Sequence, residues 1–333
     1  MPASASGRSS LNYSKKMGKP FFDLSVIVAT RNRLPELRRM LRSLESQSVH
    51  LREIIVVDGS DNPIEGDLEE FGNLPIRYVR CFPPSAAKQR NEGIKKVSSN
   101  PEFIGFLDDD IVLEPEAMAA MREFWLSSSD EIGGAAFNLL NHPKPYAPKL
   151  KSSRAAERLG LYSRTGGKVL PSGFHTMIGC VQVSTRVEWL TTGAVILRRG
   201  VLEGFRFDEW FRDYSYLEDL DFSLQVNKRY QLWVVGEAGY FHYPGRAGRG
   251  NDFQFGRREV LNRVYLVKKH KALSLRKCKL ALILRLAINL SLAVKRPCLE
   301  RLDHTPGGME GNIHYWRRAL GNTVGLMQTM FHS

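Results

Sequence analysis

The segment PEFIGFLDDDIVLEPEAM, residues 101–118, decides the fold class. Phe103-Ile104-Gly105-Phe106-Leu107 is a short apolar run, which predicts a strand buried on both faces inside a parallel sheet. Asp108, Asp109 and Asp110 follow without a spacer, and Glu114-Pro115 then opens a helix. Adjacent carboxylates repel one another, so packing explains the cluster poorly. Such oxygens bind hard divalent cations, often with substrate phosphates completing the shell. The plainer alternative is a solvated acidic loop in which one Asp caps the helix.

Upstream, Leu24–Ala29 and Ile54–Val57 are apolar strands, and Ile76–Val79 is a third. Between the first two, Leu34, Leu37, Leu41 and Leu44 recur at helical spacing. A short helix is expected over 64–72 and a longer one over Ser85–Val97, after Pro83-Pro84. Strand alternating with helix at this spacing is a doubly wound α/β sheet. Thr30 and Arg31, Asp58, and Asp108–Asp110 all lie just past the carboxyl ends of strands, the edge where open α/β sheets bind ligands. No GxGxxG follows the first strand and no GxxxxGK[ST] occurs, which disfavours a dinucleotide fold or a P-loop NTPase.

The 333 residues allow one large domain with an appendage, or two domains. Cys81, Cys180, Cys278 and Cys298 are far apart, which argues against a disulfide framework or zinc site and fits a reducing compartment. The first 20 residues are polar, lack an apolar signal core and are predicted to be disordered. The net charge of +13 is uneven: residues 1–240 hold 31 Lys+Arg against 30 Asp+Glu, residues 241–333 hold 17 against 5. A basic region behind a neutral body implies an anionic partner, a membrane surface or a phosphate-bearing substrate, unless it is only solvated surface. No nucleic-acid-binding signature accompanies it.

Further on, residues 131–138 are a predicted strand, and 141–173 an irregular stretch with four Pro and Gly166-Gly167, long enough for a functional flap. Trp189–Arg199 is a turn into an apolar strand, where Gly193 either admits a ligand close to the backbone or merely opens the strand. Leu217, Leu220 and Leu224 mark a helix start carrying Glu218, Asp219 and Asp221. Acids there complement the helix dipole, but three in four residues exceed that need, and one of them could act as a general base. Gln231–Val235 is another strand, followed by His242 among aromatics, a residue that packing alone would explain. Helices are expected over 253–270 and 274–295. The second is too short an apolar run to span a bilayer, and either lies in a membrane interface or packs on the body.

In order, SVIVATRNR (25–33), IIVVDGSDN (54–62), AAKQRNEGI (86–94), FLDDDI (106–111), TTGAVILRR (191–199) and LEDLDFSLQ (217–225) resemble glycosyltransferase family 2, inverting enzymes of the GT-A fold. The resemblance spans residues 22–270. It implies a Rossmann-like, doubly wound, mostly parallel sheet over 21–245, followed by a basic helical region over 246–333. It implies that Thr30 and Arg31 border the nucleobase, Asp58 contacts it and Arg90 approaches the pyrophosphate. Asp108 would face the ribose as the first carboxylate of a DxD motif, with Asp109 and Gly193 beside the nucleotide-sugar. Asp110, and His242 with it, would hold Mn²⁺ or Mg²⁺. Asp219 would be the catalytic base, with Glu218 before it. The implied reaction moves one sugar from a nucleoside-diphosphate sugar to a glycan or lipid-linked acceptor in cell-surface polysaccharide synthesis, at the cytoplasmic face of the membrane. The Q/RxxRW motif of processive synthases is missing. The rival readings are a GT-A-like nucleotidyltransferase, whose Gly-rich loop after the first strand has no counterpart in VATRNRLPE, and a non-catalytic nucleotide- or glycan-binding module.

Overall fold

The computed structural model describes residues 19–98, 100–141, 154–212, 215–244, 251–295, 299–300 and 312–331. Residues 1–18 of the polar leader, part of the Pro-rich stretch (142–153) and residues 245–250 lie outside that set. In chain order the elements that build the site are β1 (Phe21–Thr30), α1 (Leu34–Glu45), β2 (His50–Asp58), β3 (Ile76–Arg80), α2 (Ala86–Lys96), β4 (Phe103–Asp108), β5 (Ile111–Leu113), α3 (Ala117–Leu126) and β6 (Ile132–Leu139). After them come α4 (Arg154–Arg158), β7 (Thr185–Val187), β8 (Ala194–Arg198), α5 (Arg199–Gly204), α6 (Glu218–Val226), β9 (Gln231–His242), α7 (Asp252–Lys269), α8 (Leu275–Lys295) and α9 (Tyr315–Phe331).

The sheet order is β3-β2-β1-β4-β8-β6-β9-β5, with β7 on β9. The strands from β3 to β4 are parallel; β8 then runs antiparallel to β4, and β6 pairs parallel with β9. Strand residues alternate between two cores, as period-2 geometry requires. Leu24, Val26 and Val28 of β1 join Leu37, Met40, Leu41 and Leu44 of α1 on one face. Ile27, with Ile55 and Val57 of β2, joins Phe222 and Val226 of α6 on the other. Both faces are covered, so the strands read as unbroken apolar runs.

Several boundaries differ from expectation for local reasons. The 64–72 helix is a 3₁₀ segment, Gly66–Phe71. The helix after Pro115 starts only at Ala117, because Glu116 takes a left-handed conformation (φ 65°). β9 continues past Val235 to His242, since β6 pairs with Gly239 and Tyr240 and β5 with Tyr240, Phe241 and His242.

A third core joins the C-terminal helices to the middle of the chain. Leu161, Tyr162, Leu170 and Phe174 pack with Val260, Val264 and Val267 of α7 and with Ala281 and Leu282 of α8. This core draws on both sides of position 245. α7 and α9 cross at van der Waals distance because Gly256 and Gly321 lack side chains: a Cβ on either would sit about 2 Å from a carbonyl oxygen of the other helix. Beside the crossing, Glu259 is buried, paired with Arg285 at 3.1 Å and with Asn322 Nδ2 at 3.3 Å. Burial alone would raise the Glu259 pKa; Arg285, Arg263 and Arg318 outweigh it and hold the carboxyl below its ordinary value.

A depressed carboxyl contributes stability above its unfolded pKa of about 4.3 and loses it as pH falls through the lower folded value. Glu259→Gln should therefore lower stability at pH 7 by about 3–5 kcal/mol, because Arg285 is left buried without its partner. The deficit should shrink in acid. Urea midpoints at pH 7 and pH 3.5 check both statements; an unchanged midpoint at pH 7 contradicts them.

Candidate active site

The register of the parallel strands assembles the site. Thr30 pairs with Asp58 and Ala29 with Asp108, so three strand ends lie side by side at the carboxyl edge. Gln89 on α2 donates to the carbonyls of Thr30 (2.9 Å) and Val57 (2.8 Å), fixing the first two loops to each other.

The three aspartates after β4 have three different surroundings. Asp108 is half-exposed, accepts from Arg90 Nη2 at 2.9 Å, and its backbone N–H donates to Gly193 O at 2.8 Å. A Cβ on Gly193 would sit 3.0 Å from Asp108 Oδ2. That glycine keeps the carboxylate's approach clear. Asp109 is buried, accepting from Thr30 Oγ1 at 2.8 Å and Arg33 Nη1 at 3.1 Å. Burial and the charge of Asp110 push its pKa up to about 7 against the pull of Arg33. Asp110 is also buried, with Arg33 Nη1 at 3.2 Å and His242 Nε2 at 3.1 Å.

His242 thus meets Asp110 across the end of β9. Among the described residues no three His, Cys, Asp or Glu side chains converge as a complete metal site. The two donors still suit a divalent ion: a carboxylate oxygen is a hard ligand, and an imidazole nitrogen favours Mn²⁺ over Mg²⁺.

Asp58 is fully buried. Ser60 N donates to Oδ1 at 2.7 Å, Tyr78 Oη donates to Oδ2 at 2.7 Å, and Arg80 Nη1 also donates to Oδ2. Burial raises the Asp58 pKa, but these donors outweigh it and hold the carboxyl below its usual range. Arg80 stacks over the Phe82 ring at 4.5 Å, and Phe82 is exposed. Thr30 points its hydroxyl at Asp109, and Arg31 is exposed. The guanidinium that reaches the aspartates belongs to Arg33, two residues further along the same ATRNR run.

Across the cleft, Arg90 donates through Nη1 to Glu218 Oε1 at 2.9 Å. One buried cation therefore joins the end of β4 to the start of α6. Leu217, just before that start, has φ 79°, a conformation that costs a bulky residue about 1–2 kcal/mol. Its side chain is held in a small core with Trp189, Phe211 and Leu266. Asp219 is half-buried and accepts from Leu220 N at 2.7 Å. Burial first, then neighbouring negative charge, pushes both Glu218 and Asp219 upward, with Arg90 opposing.

Asp221 is fully buried, with His270 Nε2 at 2.7 Å and Lys269 Nζ at 2.8 Å. Lys269 also reaches Asp208 at 2.6 Å. Asn91 Nδ2 holds Phe207 O and Glu209 Oε1, both at 2.9 Å. Arg33 and Asn91 lie inside the motifs quoted above without being singled out there, and Tyr78, Arg80 and the Lys269-His270 clamp carry no distinguishing mark in the sequence.

Residues 25–183, which hold the three strand ends and the acidic triplet, match the family described as "Glycosyl transferase family 2". Those residues form a glycosyltransferase family 2 domain. The "Minor teichoic acid biosynthesis protein GgaA" of Bacillus subtilis is 33% identical over 113 residues, which is 31% of this chain and 25% of that relative's length. Staphylococcus aureus TarS 1–349, solved in complex with UDP-GlcNAc, superposes with a TM-score of 0.52 at 17% identity, covering 91% of this chain and 81% of that one. Mannosyltransferase PcManGT from Pyrobaculum calidifontis, with GDP-Man and Mn²⁺, gives 0.50 at 13% identity, covering 92% and 87%. At these identities the structures establish the fold, which is GT-A.

Proposed function

We propose that this protein is a metal-dependent, inverting glycosyltransferase that moves one sugar from a nucleoside-diphosphate sugar to a hydroxyl of a glycan or lipid-linked acceptor of the cell surface. The observation that carries the reading is Arg90, which ties a donor-side carboxylate, Asp108, to the Glu218-Asp219 segment at 2.9 Å on each side. Residues 21–245 would form the catalytic domain and 246–333 the extension that completes it.

In this reading the nucleobase lies at the ends of β1 and β2. The Asp58 carboxylate is buried beneath Arg80, whose partly exposed guanidinium offers donors to a ring carbonyl of uracil or thymine. Asp108 faces the ribose, and Gly193 leaves room for the donor sugar. Asp110 and His242 would hold the divalent ion, which when bound offsets the charge of the departing diphosphate. Arg33, already against Asp109 and Asp110, keeps those carboxylates from repelling each other apart. Asp219 has Oδ1 occupied by Leu220 N, leaving Oδ2 to take the acceptor hydroxyl's proton. Its raised pKa brings it toward the working pH, where a general base is most effective. Attack from the side opposite the leaving diphosphate inverts the anomeric centre, as in inverting glycosidases.

The acceptor class follows from surface chemistry. Among the described residues no helix is long and apolar enough to cross a membrane. α8 nevertheless exposes Leu280, Ile283, Leu290 and Val294 on one side at helical spacing, with exposed Arg276 and Lys277 at its start. That is the pattern of a helix lying on an anionic bilayer, and it would set the enzyme on the cytoplasmic face, beside a lipid-linked acceptor.

Calorimetric titration with UDP, dTDP and GDP, each with Mn²⁺ and with EDTA, should show metal-dependent binding of a pyrimidine nucleotide that Asp110→Ala abolishes. Asp219→Asn should keep that binding while transfer falls by about 10²–10⁴. Transfer that survives in Asp219→Asn overturns the mechanism, and absence of any nucleotide binding overturns the assignment. Flotation with vesicles containing phosphatidylglycerol should carry the protein upward in low salt; protein left at the bottom removes the membrane role.

A further inference from the structure

One cavity in the molecule, about 40 Å³, lies between the sheet and the flap that crosses it at residues 176–181. Its floor is Leu139 of β6 and Tyr240 of β9, its side is Leu190 and Thr191, and its roof is Met177 and Gly179. We propose that it is a subsite for the acylamino group of a 2-acylamino sugar, either the donor's or the acceptor's. The proposal rests on the transferase reading above and narrows its substrate class.

Two of its walls run directly into the reaction centre. Tyr240 and His242 point to the same face of β9, one two-residue step of about 7 Å apart, and His242 meets Asp110. Thr191 is two residues from Gly193, which lies against Asp108. A substituent on a sugar held between these aspartates is therefore within reach of the cavity.

The cavity is preformed. Trp189 Nε1 donates to Thr176 O at 3.0 Å, and Asn138 grips Val181 from both sides, Nδ2 to the carbonyl at 2.8 Å and Oδ1 from the N–H at 2.9 Å. Further back, the Arg263 guanidinium donates to Gly173 O and stacks on Phe174 at 3.9 Å, anchoring the flap to α7. The roof is pinned at each end, and it does not collapse onto the floor.

Size and lining select the group. A water needs about 10–15 Å³ of such space, so the cavity holds about three heavy atoms, the carbonyl carbon, oxygen and methyl of an acetyl. A ring hydroxyl would leave most of it unfilled and would meet few polar partners among these walls, a costly burial. The polar side chains in the lining are Thr191 and Tyr240, whose hydroxyls give the acyl oxygen a place to bond.

The test compares N-acetyl and hydroxyl pairs in two arms, in wild type and in Met177→Trp. Met177 is 40% exposed at the mouth, so the larger ring fills the opening without disturbing the core. The donor arm titrates UDP-N-acetylglucosamine against UDP-glucose in Mn²⁺; the acceptor arm compares methyl N-acetylglucosaminide with methyl glucoside as inhibitors of transfer. Wild type should prefer the N-acetyl member by about 10–200-fold, the worth of a small apolar group in a fitted pocket, in one arm. Met177→Trp should erase that preference by weakening the N-acetyl ligand alone, with UDP affinity and melting temperature unchanged. UDP binding with no preference in either arm, or a Trp variant that weakens both members equally, overturns the subsite. Failure of UDP itself to bind instead sinks the functional reading, and the subsite with it.

Discussion

Arg90 is the constraint on which the rest of this molecule depends. Its guanidinium is buried and bonded to two carboxylates from opposite sides of the cleft, Asp108 after β4 and Glu218 at the start of α6. A buried cation is tolerated only when its charge is matched and its donors are used. Removing either partner would leave a charge stranded, at a cost of about 3–5 kcal/mol. The two walls of the site are therefore fixed to each other before any substrate arrives. A planar fork can serve two carboxylates at once; a lysine ammonium could not hold both in this geometry.

The C-terminal region supports the same site from behind. α7 reaches the flap through Arg263, the backbone of Tyr216 through Asn262 Nδ2 at 2.7 Å, and α6 through Lys269 and His270 on Asp221. The strained Leu217 that aims Glu218 and Asp219 is buried against Leu266 of the same helix. α8, which carries the proposed membrane face, packs on α7 and so lies behind this helix start. The C-terminal helices are part of the frame of the candidate site, and residues 156–174 share their core.

Much of this was legible in the chain. Strands covered on both faces show as continuous apolar runs, and the carboxyl-edge loops could be placed from their order alone. The side chains at the edge were harder to tell apart. Arg31 and Arg33 sit in one short run, and only the twist of the loop after β1 decides which faces the aspartates. Asp109 and Asp110 are adjacent, yet one is tied to Thr30 and the other to His242, a distinction set by strand register rather than by residue type. The Asp221–His270 contact joins residues 49 apart, and no local pattern marks it. α9 lies in the region expected to be helical, but its bounds were not legible, because Gly321 and Gly325 argue against a helix as sequence.

The claim that most needs testing is that Arg90 couples the donor carboxylate to the base. The pH–rate profile of transfer at saturating donor, in wild type and Arg90→Lys, tests it. With Asp219 as the proposed base, the rate should rise with pH through a pKa above the ordinary Asp value of about 3.9. With lysine unable to hold both carboxylates, that acidic limb should move to higher pH while nucleotide still binds. A variant with wild-type rate and an unmoved limb would contradict the account, since Arg90 would then be a structural ion pair with no hold on the chemistry.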